Sequence, residues 1–503
     1  MAALRWTDVS DIHPPGRYKV VVVGSGPGGL QISYFLNRLG IDHAVISADQ
    51  EPGGMFRRFP LFQRLISWTK PYAPADRTSR AYEWYDWNSL LGEEPNHKAL
   101  VAEFVQGNSY FPSRGEMEQG LRAFSARAGI KVRYGCRWEA TGRRGELFSL
   151  ETSDGLYECD VAIMAIGTTE AWKPSIPGID EVPHYVAAKP REHYTNKKVF
   201  IIGKRNSGLE VADALLPVAR QIILGSPRPA RLSVLERSLM GARARYLQPY
   251  EDHVLGGGHV LVNASIERIE RSIEGYRVHA SSTTRPAAMV FDVDEVIAAT
   301  GFSTPLLDLP KLGAATLNQG RLPAQTAFWE SASLPGIYFA GSATQGSAGL
   351  KKYGIGSNSA AVHGFRYNAR ILAHHIAKKH FGVKPSRPLV KPDDLVPFIL
   401  SEMTRAPELW NQQAYLARVM NFEPKEGILD EGIAPLEHFV DSNGPDAIAV
   451  TIETDGAGEI HPVVYLRRSG KTQEHPFEPD PLRDFETVEL QHQVKSLLKP
   501  YLS

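Results

Sequence analysis

The chain contains very little cysteine. Its 503 residues include two, Cys136 and Cys159, and they lie in separate segments. Two such thiols exclude a disulfide framework and a CxxC pair, so the chain lacks the dithiol that a thiol-based redox enzyme needs. The 16 histidines are scattered without zinc-like spacing, and we therefore expect no metal site.

The chain also lacks an excess of charge of either sign and a long apolar run. Its 56 basic residues balance 56 acidic residues, which gives no reason to expect nucleic acid or an anionic membrane as a partner. No window approaches the ~20 apolar residues that cross a bilayer, and the first 20 residues do not resemble a signal peptide. We expect a cytoplasmic protein with a small-molecule substrate and two or three domains.

The most informative segment is YKVVVVGSGPGGLQISYFLNRLGIDHAVIS, residues 18–47. Val20 to Val23 are typical of a strand buried on both faces, and the glycines after them open a helix. Gly24 permits a tight turn, Gly26 lets the backbone approach a pyrophosphate, and Gly29 lets the helix pack closely on the strand. This strand, glycine turn and helix predict a dinucleotide site whose helix start binds phosphate.

The residue that binds the ribose is less clear from the sequence. Ser47 stands where an acidic residue is expected, and Asp49 and Glu51 are close by. Either acid can substitute, or Ser47 itself can bind the ribose more weakly.

A second unit of the same kind begins at KKVFIIGKRNSGLEVADALL. It predicts a buried strand at 199–202, a turn at Gly203 and Gly208, and an amphipathic helix from about Ser207. Arg205 replaces the middle glycine, where any side chain takes up space beside the pyrophosphate. The arginine can turn outward and pair with phosphates, or it can pair with the protein itself in a vestigial turn.

Basic residues follow the next strand of this unit. Arg228 and Arg231 lie where a 2′-phosphate is recognised, which favours NADPH over NADH. The alternative is that both are ordinary surface charges.

The two units predict an α/β fold with an internal pseudo-repeat: two Rossmann-like dinucleotide-binding domains, a flavin domain interrupted by a nicotinamide domain. A strand at 337–340 ends at Gly341, and a helix follows that Ser357 or Asn358 can cap and Gly382 can stop. We expect this helix to begin under the isoalloxazine, or else to be a scaffold helix of a closing unit. The predicted boundaries are 1–170 and 326–385 for the FAD-binding domain, 171–325 for the NAD(P)H-binding domain, and 386–503 for an α+β extension.

The extension begins with a proline-rich, linker-like stretch. Residues 397–422 read as helical, and 446–470 read as two strands around 455–457. The extension can cap the flavin, bind substrate or mediate a homodimer.

Residues 18–385 resemble the flavin monooxygenase superfamily of the type with two dinucleotide-binding domains. The motifs FPLFQRLISWTKPYAP, YDWNSLL and VHGFRY are similar to FAD-dependent oxidoreductases related to the endoplasmic-reticulum flavoprotein group. Those lumenal relatives carry a signal sequence and a retention tail, and we expect neither here. The resemblance implies FAD and NADPH as cofactors. The implied cofactor-binding residues are Gly24, Gly26, Pro27, Gly28, Gly29, Ser47, Gly54, Met55, Phe56, Gly167, Gly203, Arg205, Asn206, Ser207, Gly208, Arg228, Gly341 and Ser342.

The resemblance further implies that NADPH reduces the flavin, which forms a C4a-hydroperoxide with O2 and inserts one oxygen atom into a small substrate. The implied catalytic residues are Thr69, Lys70 and Asn88, with the Thr69 hydroxyl as a donor near the reactive flavin atom. The F-x-G-x-x-x-H pattern between the domains is absent, so heteroatom oxidation and ketone insertion both stay open. Ser342 follows Gly341 in place of the aspartate of disulfide-reductase-like flavoproteins. The alternatives are a flavin oxidase or reductase without substrate oxygenation, and a flavin-bound interaction protein.

Overall fold

A computed structural model describes residues 12–59, 61, 64–233 and 241–502. The expectation that no signal peptide is present rests partly on residues 1–11, which lie outside the described residues. Three positions of the FPLFQRLISWTKPYAP motif, residues 60, 62 and 63, also lie outside them.

The first part of the chain forms a sheet, and the glycine turn follows one of its inner strands. Its strands are β1 Gly16–Val23, β2 His43–Ser47, β3 Arg133–Tyr134, β4 Trp138–Arg144, β5 Leu147–Thr152 and β6 Gly155–Met164. Its helices are α1 Pro27–Arg38, α2 Leu100–Phe104 and α3 Arg114–Arg127. The strand order is β3-β2-β1-β6-β5-β4, and β1 pairs in parallel with both β2 and β6. Val20, Val21 and Val22 are fully buried, as a strand covered on both faces requires.

The second part repeats this arrangement. Its strands are β7 Glu170–Ala171, β8 Lys198–Ile202, β9 Gln221–Ser226, β10 His259–Ser272, β11 Gly275–Ser282, β12 Ala288–Val293, β13 Glu295–Ala298, β14 Phe302–Ser303, β15 Thr316–Leu317 and β16 Leu322–Pro323. Its α-helices in the described ranges are α4 Asn206–Leu215 and α5 Gln248–Leu255. The order β12-β11-β10-β9-β8-β13 again places the strand before the glycine turn between two parallel partners.

The chain then returns to the first sheet. Strand β17 Ile337–Phe339 pairs in parallel with β6, and the long helix α6 Val362–Phe381 packs on α1. The α6 helix ends at Gly382 in the left-handed conformation, as predicted. The predicted cap is wrong, because α6 begins after Ala361 without a side-chain cap, and Asn358 instead bonds to the C-terminal extension.

The extension is a six-stranded antiparallel sheet covered by helices. It comprises β18 Leu389–Val390, α7 Pro392–Arg405, α8 Pro407–Asn411, β19 Leu416–Glu423, β20 Gly427–Pro435, α9 Leu436–Asp441, β21 Ala447–Thr454, β22 Ile460–Arg468, β23 Lys471–Pro476 and α10 Val488–Leu502. The two strands around residues 455–457 are confirmed as β21 and β22.

The helix prediction for residues 397–422 is wrong in its second half. Residues 416–423 form β19, which lies between β20 and β21 in the centre of the sheet. Two backbone ladders therefore outweigh the helical preference of this segment. Two large sheets that combine parallel and antiparallel strands, together with the antiparallel sheet of the extension, make a mixed α/β molecule with two Rossmann-like units, and the predicted fold class is confirmed. The predicted domain boundaries stay predictions.

Among the described residues, no helix combines the length and the apolar character needed to cross a bilayer.

Candidate functional site: two glycine turns and the start of α6

The first glycine turn packs too tightly to admit side chains. A Cβ on Gly29 would overlap the carbonyl oxygen of Gly24, and a Cβ on Gly24 would overlap that of Ala165. Gly24 also has a φ of 110°, which favours glycine. Helix α1 therefore begins directly against the ends of β1 and β6, with Pro27 as its first residue.

The start of α1 also touches the turn after β17. A Cβ on Gly28 would overlap Gly341, whereas a Cβ on Gly26 would lie 2.8 Å from the terminal methyl of Met55. The first of these neighbours is backbone and the second is a flexible side chain. The amides of Gly28 and Gly29 lie in the first helical turn, where no helical carbonyl is available to them. They face the position where a phosphate binds to such a helix.

At the end of β2, Ser47 is the available ribose ligand. Its hydroxyl accepts a hydrogen bond from Ser25 Oγ at 2.8 Å and is 3.2 Å from the Asp49 amide, which also donates to it. Asp49 pairs with Arg58 at 2.5 Å. Glu51 pairs with Arg57 and with Arg122. Both acids therefore already hold arginines, which favours Ser47 between the alternatives for the ribose.

Two 3-10 helices border the space between the first glycine turn and α6. Gly54, Met55 and Phe56 lie in the helix Gly54–Arg58, which follows β2. Gly341 and Ser342 open the helix Gly341–Gly346, which follows β17. Gln345 of this helix donates to Thr168 Oγ1 at 3.5 Å, so the turn after β6 that contains Gly167 lies beside it.

A stack of three rings lies at the start of α6. The ring centroids of Trp68 and Trp87 are 3.7 Å apart, and those of Trp87 and His363 are 4.3 Å apart. His363 is fully buried, and neither of its ring nitrogens has a hydrogen-bond partner among the described residues. Burial lowers the pKa of His363 well below its usual range, with Arg243 adding to the shift. The imidazole is therefore neutral and can offer one hydrogen bond to a bound group.

The predicted catalytic residues lie beside this stack. Thr69 Oγ1 donates to Asp86 Oδ1 at 2.8 Å and accepts from Asn88 Nδ2 at 3.0 Å. The only hydrogen of the Thr69 hydroxyl is thus donated to Asp86 and is not free for a second acceptor. Lys70 is exposed, with its ammonium 5.2 Å from the centre of the Trp68 ring. The structure joins Thr69 and Asn88 in one buried network, and the catalytic roles of all three residues stay predictions.

The second glycine turn copies the backbone of the first. A Cβ on Gly208 would overlap the carbonyl oxygen of Gly203, and a Cβ on Gly203 would overlap that of Ala299. These contacts match those of Gly29, Gly24 and Ala165 in the first turn. Arg205 occupies the position of Gly26, immediately before α4, and its side chain is exposed.

The other predicted residues of the second turn follow Arg205. Asn206 and Ser207 begin α4, and Asn206 Oδ1 accepts a hydrogen bond from the Arg243 amide at 2.9 Å. Arg228 lies beyond the end of β9 and is exposed. The exposure of Arg205 agrees with the outward orientation considered for it.

Sequence reasoning missed two basic residues of this region. Lys204 has 4% of its surface exposed, and its ammonium donates to Val262 O at 2.7 Å and to Asn263 Oδ1. Burial without a carboxylate partner lowers its pKa to about 8. Arg243 comes from the second Rossmann-like unit and acts electrostatically on His363 at the start of α6. Lys204 stands directly after Gly203, but nothing in the sequence connects Arg243 with the start of α6.

The two cysteines lie in the core and are not placed for redox chemistry. Cys136 and Cys159 have 1% and 0% of their surface exposed. Burial raises the pKa of Cys159 to about 12 and also raises that of Cys136. Neither thiol is therefore a ready nucleophile. In the described part of the chain, no group of three or more metal-ligating side chains is close enough to hold a metal ion.

The residues of the first glycine turn, the end of β2 and the start of α6 fit FAD. The Gly28 and Gly29 amides suit the diphosphate, Ser47 suits the ribose, and the contact between Gly28 and Gly341 keeps the path toward α6 free of side chains. Where this path reaches α6, the start of that helix and the His363 nitrogens, which have no partner among the described residues, suit a polar ring system.

Comparisons with known proteins agree with this geometry. Residues 21–341, more than half of the chain, match the family described as pyridine nucleotide-disulphide oxidoreductase. The mouse protein named FAD-dependent oxidoreductase domain-containing protein 2 is 28% identical over 399 residues, which cover 72% of this chain and 58% of that protein. The chain thus spans less than two thirds of that relative. A ferredoxin–NADP reductase of Thermus thermophilus is 25% identical, with 68% of this chain and 90% of that protein covered.

A solved structure shows the same fold. The flavin-containing monooxygenase from Stenotrophomonas maltophilia has a TM-score of 0.53 and 21% identity, and the match covers 72% of this chain and 98% of that one. The chain belongs to the pyridine nucleotide-disulphide oxidoreductase family.

Proposed function

We propose that this chain is an NADPH-dependent monooxygenase that transfers one oxygen atom of O2 to a small organic substrate and releases the other as water. The observation that carries the proposal is the second glycine turn, whose backbone contacts reproduce those of the first. A flavoprotein with a second such turn has a place for a second dinucleotide. The basic residues Arg205 and Arg228 favour NADPH there.

The positions of the two cysteines limit the routes by which electrons can leave a reduced flavin. FAD, when bound, accepts hydride from a nicotinamide and can pass electrons to O2. A disulfide relay needs an accessible, low-pKa thiol beside the flavin, and both cysteines are buried in the core of the first sheet. Electrons must therefore leave through a bound small molecule, O2 or an external acceptor.

The residues of this chain have three tasks in the proposed reaction. The amides of Gly28 and Gly29 bind and orient the FAD diphosphate, and Arg205 binds the NADPH diphosphate. The buried rings of Trp87 and His363, with the half-buried Trp68 ring against Trp87, exclude water from one side of the site. The neutral His363 holds a hydrogen-bonding nitrogen toward the bound ring system.

A second candidate is an NADPH-dependent reductase that passes electrons to an external acceptor. The similarity to the Thermus ferredoxin–NADP reductase, over 90% of that protein, favours it. On that account O2 is not a substrate and the buried ring stack has a structural role alone.

One experiment separates the two candidates. FAD-loaded protein is supplied with NADPH, a panel of small amines, thioethers and ketones, and isotopically labelled O2. A product carrying one labelled oxygen atom per NADPH consumed supports the monooxygenase. Peroxide alone, together with fast reduction of an added ferredoxin without O2, would replace that proposal with the reductase.

A further inference from the structure

A cavity of about 910 Å³ lies between the second half of α6 and the sheet of the C-terminal extension. The residues that line it include Phe328, Ile371, Lys378, Ile433, His438 and Arg467. Its volume is within the ~300–1,000 Å³ range of small-molecule sites. His375, which also lines it, is twelve residues along α6 from His363, a distance of roughly 18 Å at ~1.5 Å per residue. The cavity is therefore separate from the predicted flavin site.

One wall of the cavity is apolar and aromatic. The Phe328 ring stacks on His375 at 4.2 Å and meets His438 edge-on at 4.8 Å. Burial lowers the pKa of His375 to about 4 and lowers that of His438 as well, so both imidazoles are neutral near pH 7. Ile371 and Ile433 complete this wall. It suits the apolar body of a ligand.

The carboxylates around the cavity are already paired with arginines. Glu408 accepts from Arg370 at 2.6 Å and from Arg80 at 2.7 Å. Glu431 is bound by Arg387 at 2.5 Å. These ion pairs leave no free negative charge from either glutamate inside the cavity.

Two cations remain without a carboxylate. Arg467 has 5% of its surface exposed and donates to three neutral backbone carbonyls, Phe439 O, Ser442 O and Pro445 O. Neither Arg467 nor Lys378 has an acidic partner within ion-pair distance in the described ranges. Arg467 and Lys378 both line the cavity, and the charge of each adds to the lowering of the His438 pKa. Asp446 acts on Arg467 electrostatically from beyond ion-pair distance. A buried cation without a direct ion pair is costly, and an anion bound beside it relieves that cost.

We propose that this cavity binds an amphipathic organic anion, with its head between Arg467 and Lys378 and its apolar body against Phe328, Ile371 and Ile433. The head is a carboxylate or a phosphate, because either pairs with a guanidinium and an ammonium. The proposal does not depend on the reaction at the flavin.

Calorimetric titration of the FAD-loaded full chain tests this site. Dodecanoate and dodecyl phosphate, each below its micellar concentration, supply the two head groups, and 1-dodecanol and acetate each lack one half of the proposed ligand. We expect at least one of the two anions to bind about tenfold or more tightly than 1-dodecanol and acetate. The tighter of the two identifies the head.

Two variants locate the binding. Lys378→Gln removes one cation and Ile433→Trp fills the apolar end, and each should weaken the anion about tenfold or more. Lys384→Gln, an exposed lysine outside the cavity, should leave affinity unchanged. FAD content and thermal midpoint report whether each variant is folded. The proposal is overturned if neither anion binds, if 1-dodecanol binds as tightly, or if folded Lys378→Gln binds as wild type does.

Discussion

Gly28 at the start of α1 and Gly341 after β17 are in backbone contact: a Cβ on Gly341 would lie 3.1 Å from the Gly28 Cα. The two residues are 313 positions apart in the chain, on either side of the second Rossmann-like unit. Their contact closes the end of the first sheet where the diphosphate of FAD is expected. Any side chain on Gly28 must push these two backbones apart.

Gly28→Ala is therefore expected to lower the FAD content of purified protein sharply. The added methyl overlaps backbone of Gly341, which has no flexible atom to move aside. Gly115→Ala is the matched control, because a Cβ at that helical glycine meets nothing within 4 Å. Flavin released by denaturant and measured per mole of protein gives the result. Full occupancy in folded Gly28→Ala would remove this contact from the account.

Arg205→Ala should retain FAD and raise the KM for NADPH about tenfold, the effect of losing one charge-assisted hydrogen bond. Steady-state kinetics with NADPH varied measure this. Arg277→Gln removes an exposed arginine on β11 and serves as the control. An unchanged KM in Arg205→Ala would make that arginine a bystander.

Lys204 makes the stability of the chain depend on pH in a defined window. Burial lowers its pKa from 10.5 to about 8, so between these values the unfolded chain binds a proton that the folded chain does not. The free energy of unfolding of wild type, relative to Lys204→Met, should therefore rise from pH 8 to pH 10.5. Urea unfolding of both proteins across this window measures the difference, with exposed Lys384→Met as a control. A difference that does not change with pH would mean that Lys204 is not buried as described.

Replacing both cysteines by alanine should leave kcat/KM for NADPH within about twofold of wild type, because neither buried thiol takes part in electron transfer. The cost in stability should be about 1 kcal/mol for each replaced cysteine, the usual effect of a small core deletion. Activity that disappears while the double variant stays folded and retains FAD would reinstate a thiol relay.

The C-terminal extension holds the loop before α6. Gln412 accepts from the Asn358 amide at 2.8 Å and donates to Asn368 Oδ1 at 2.9 Å and to Ser359 Oγ at 3.1 Å. Gln412→Ala leaves these buried groups unpaired and should lower the free energy of unfolding by about 1–3 kcal/mol. Peroxide formed per NADPH should rise with it, since this loop leads into α6.

The neighbouring Gln413→Ala is the control for Gln412→Ala, because Gln413 bonds to Thr454 and not to the loop. Equal unfolding and peroxide values in the two variants would show that the extension does not support the flavin side of the molecule.

Much of the fold is predictable because its signals are local. The four valines before Gly24 and the spacing of Gly203 and Gly208 predict a buried strand, a tight turn and a helix in each unit, and each of these signals lies within one short segment. The cap of α6 was not predictable, because Asn358 is bound by residues more than fifty positions later in the chain. The helix prediction for β19 is wrong for the same reason. The two strands that pair with β19, β20 and β21, lie outside the segment on which the prediction rests.

The site was predictable where backbone defines it and not where distant side chains meet. Glycine spacing identifies both turns, and Ser47, the last residue of β2, is one of the three ribose candidates that the sequence offers. The contact of Trp87 with His363 joins segments 276 residues apart, and no periodic pattern reports it. The sequence does not indicate the roles of Arg243 and Lys204, because each is a single basic residue whose burial depends on the whole fold.

Anaerobic titration of the FAD-loaded protein with NADPH tests the central claim most directly. The claim is that NADPH bound at the second glycine turn transfers hydride to FAD bound at the first. We expect one equivalent of NADPH to bleach the flavin absorbance, and the same amount of NADH to act far more slowly. Flavin that stays oxidised with both nicotinamides, in protein that has retained its FAD, would contradict the account.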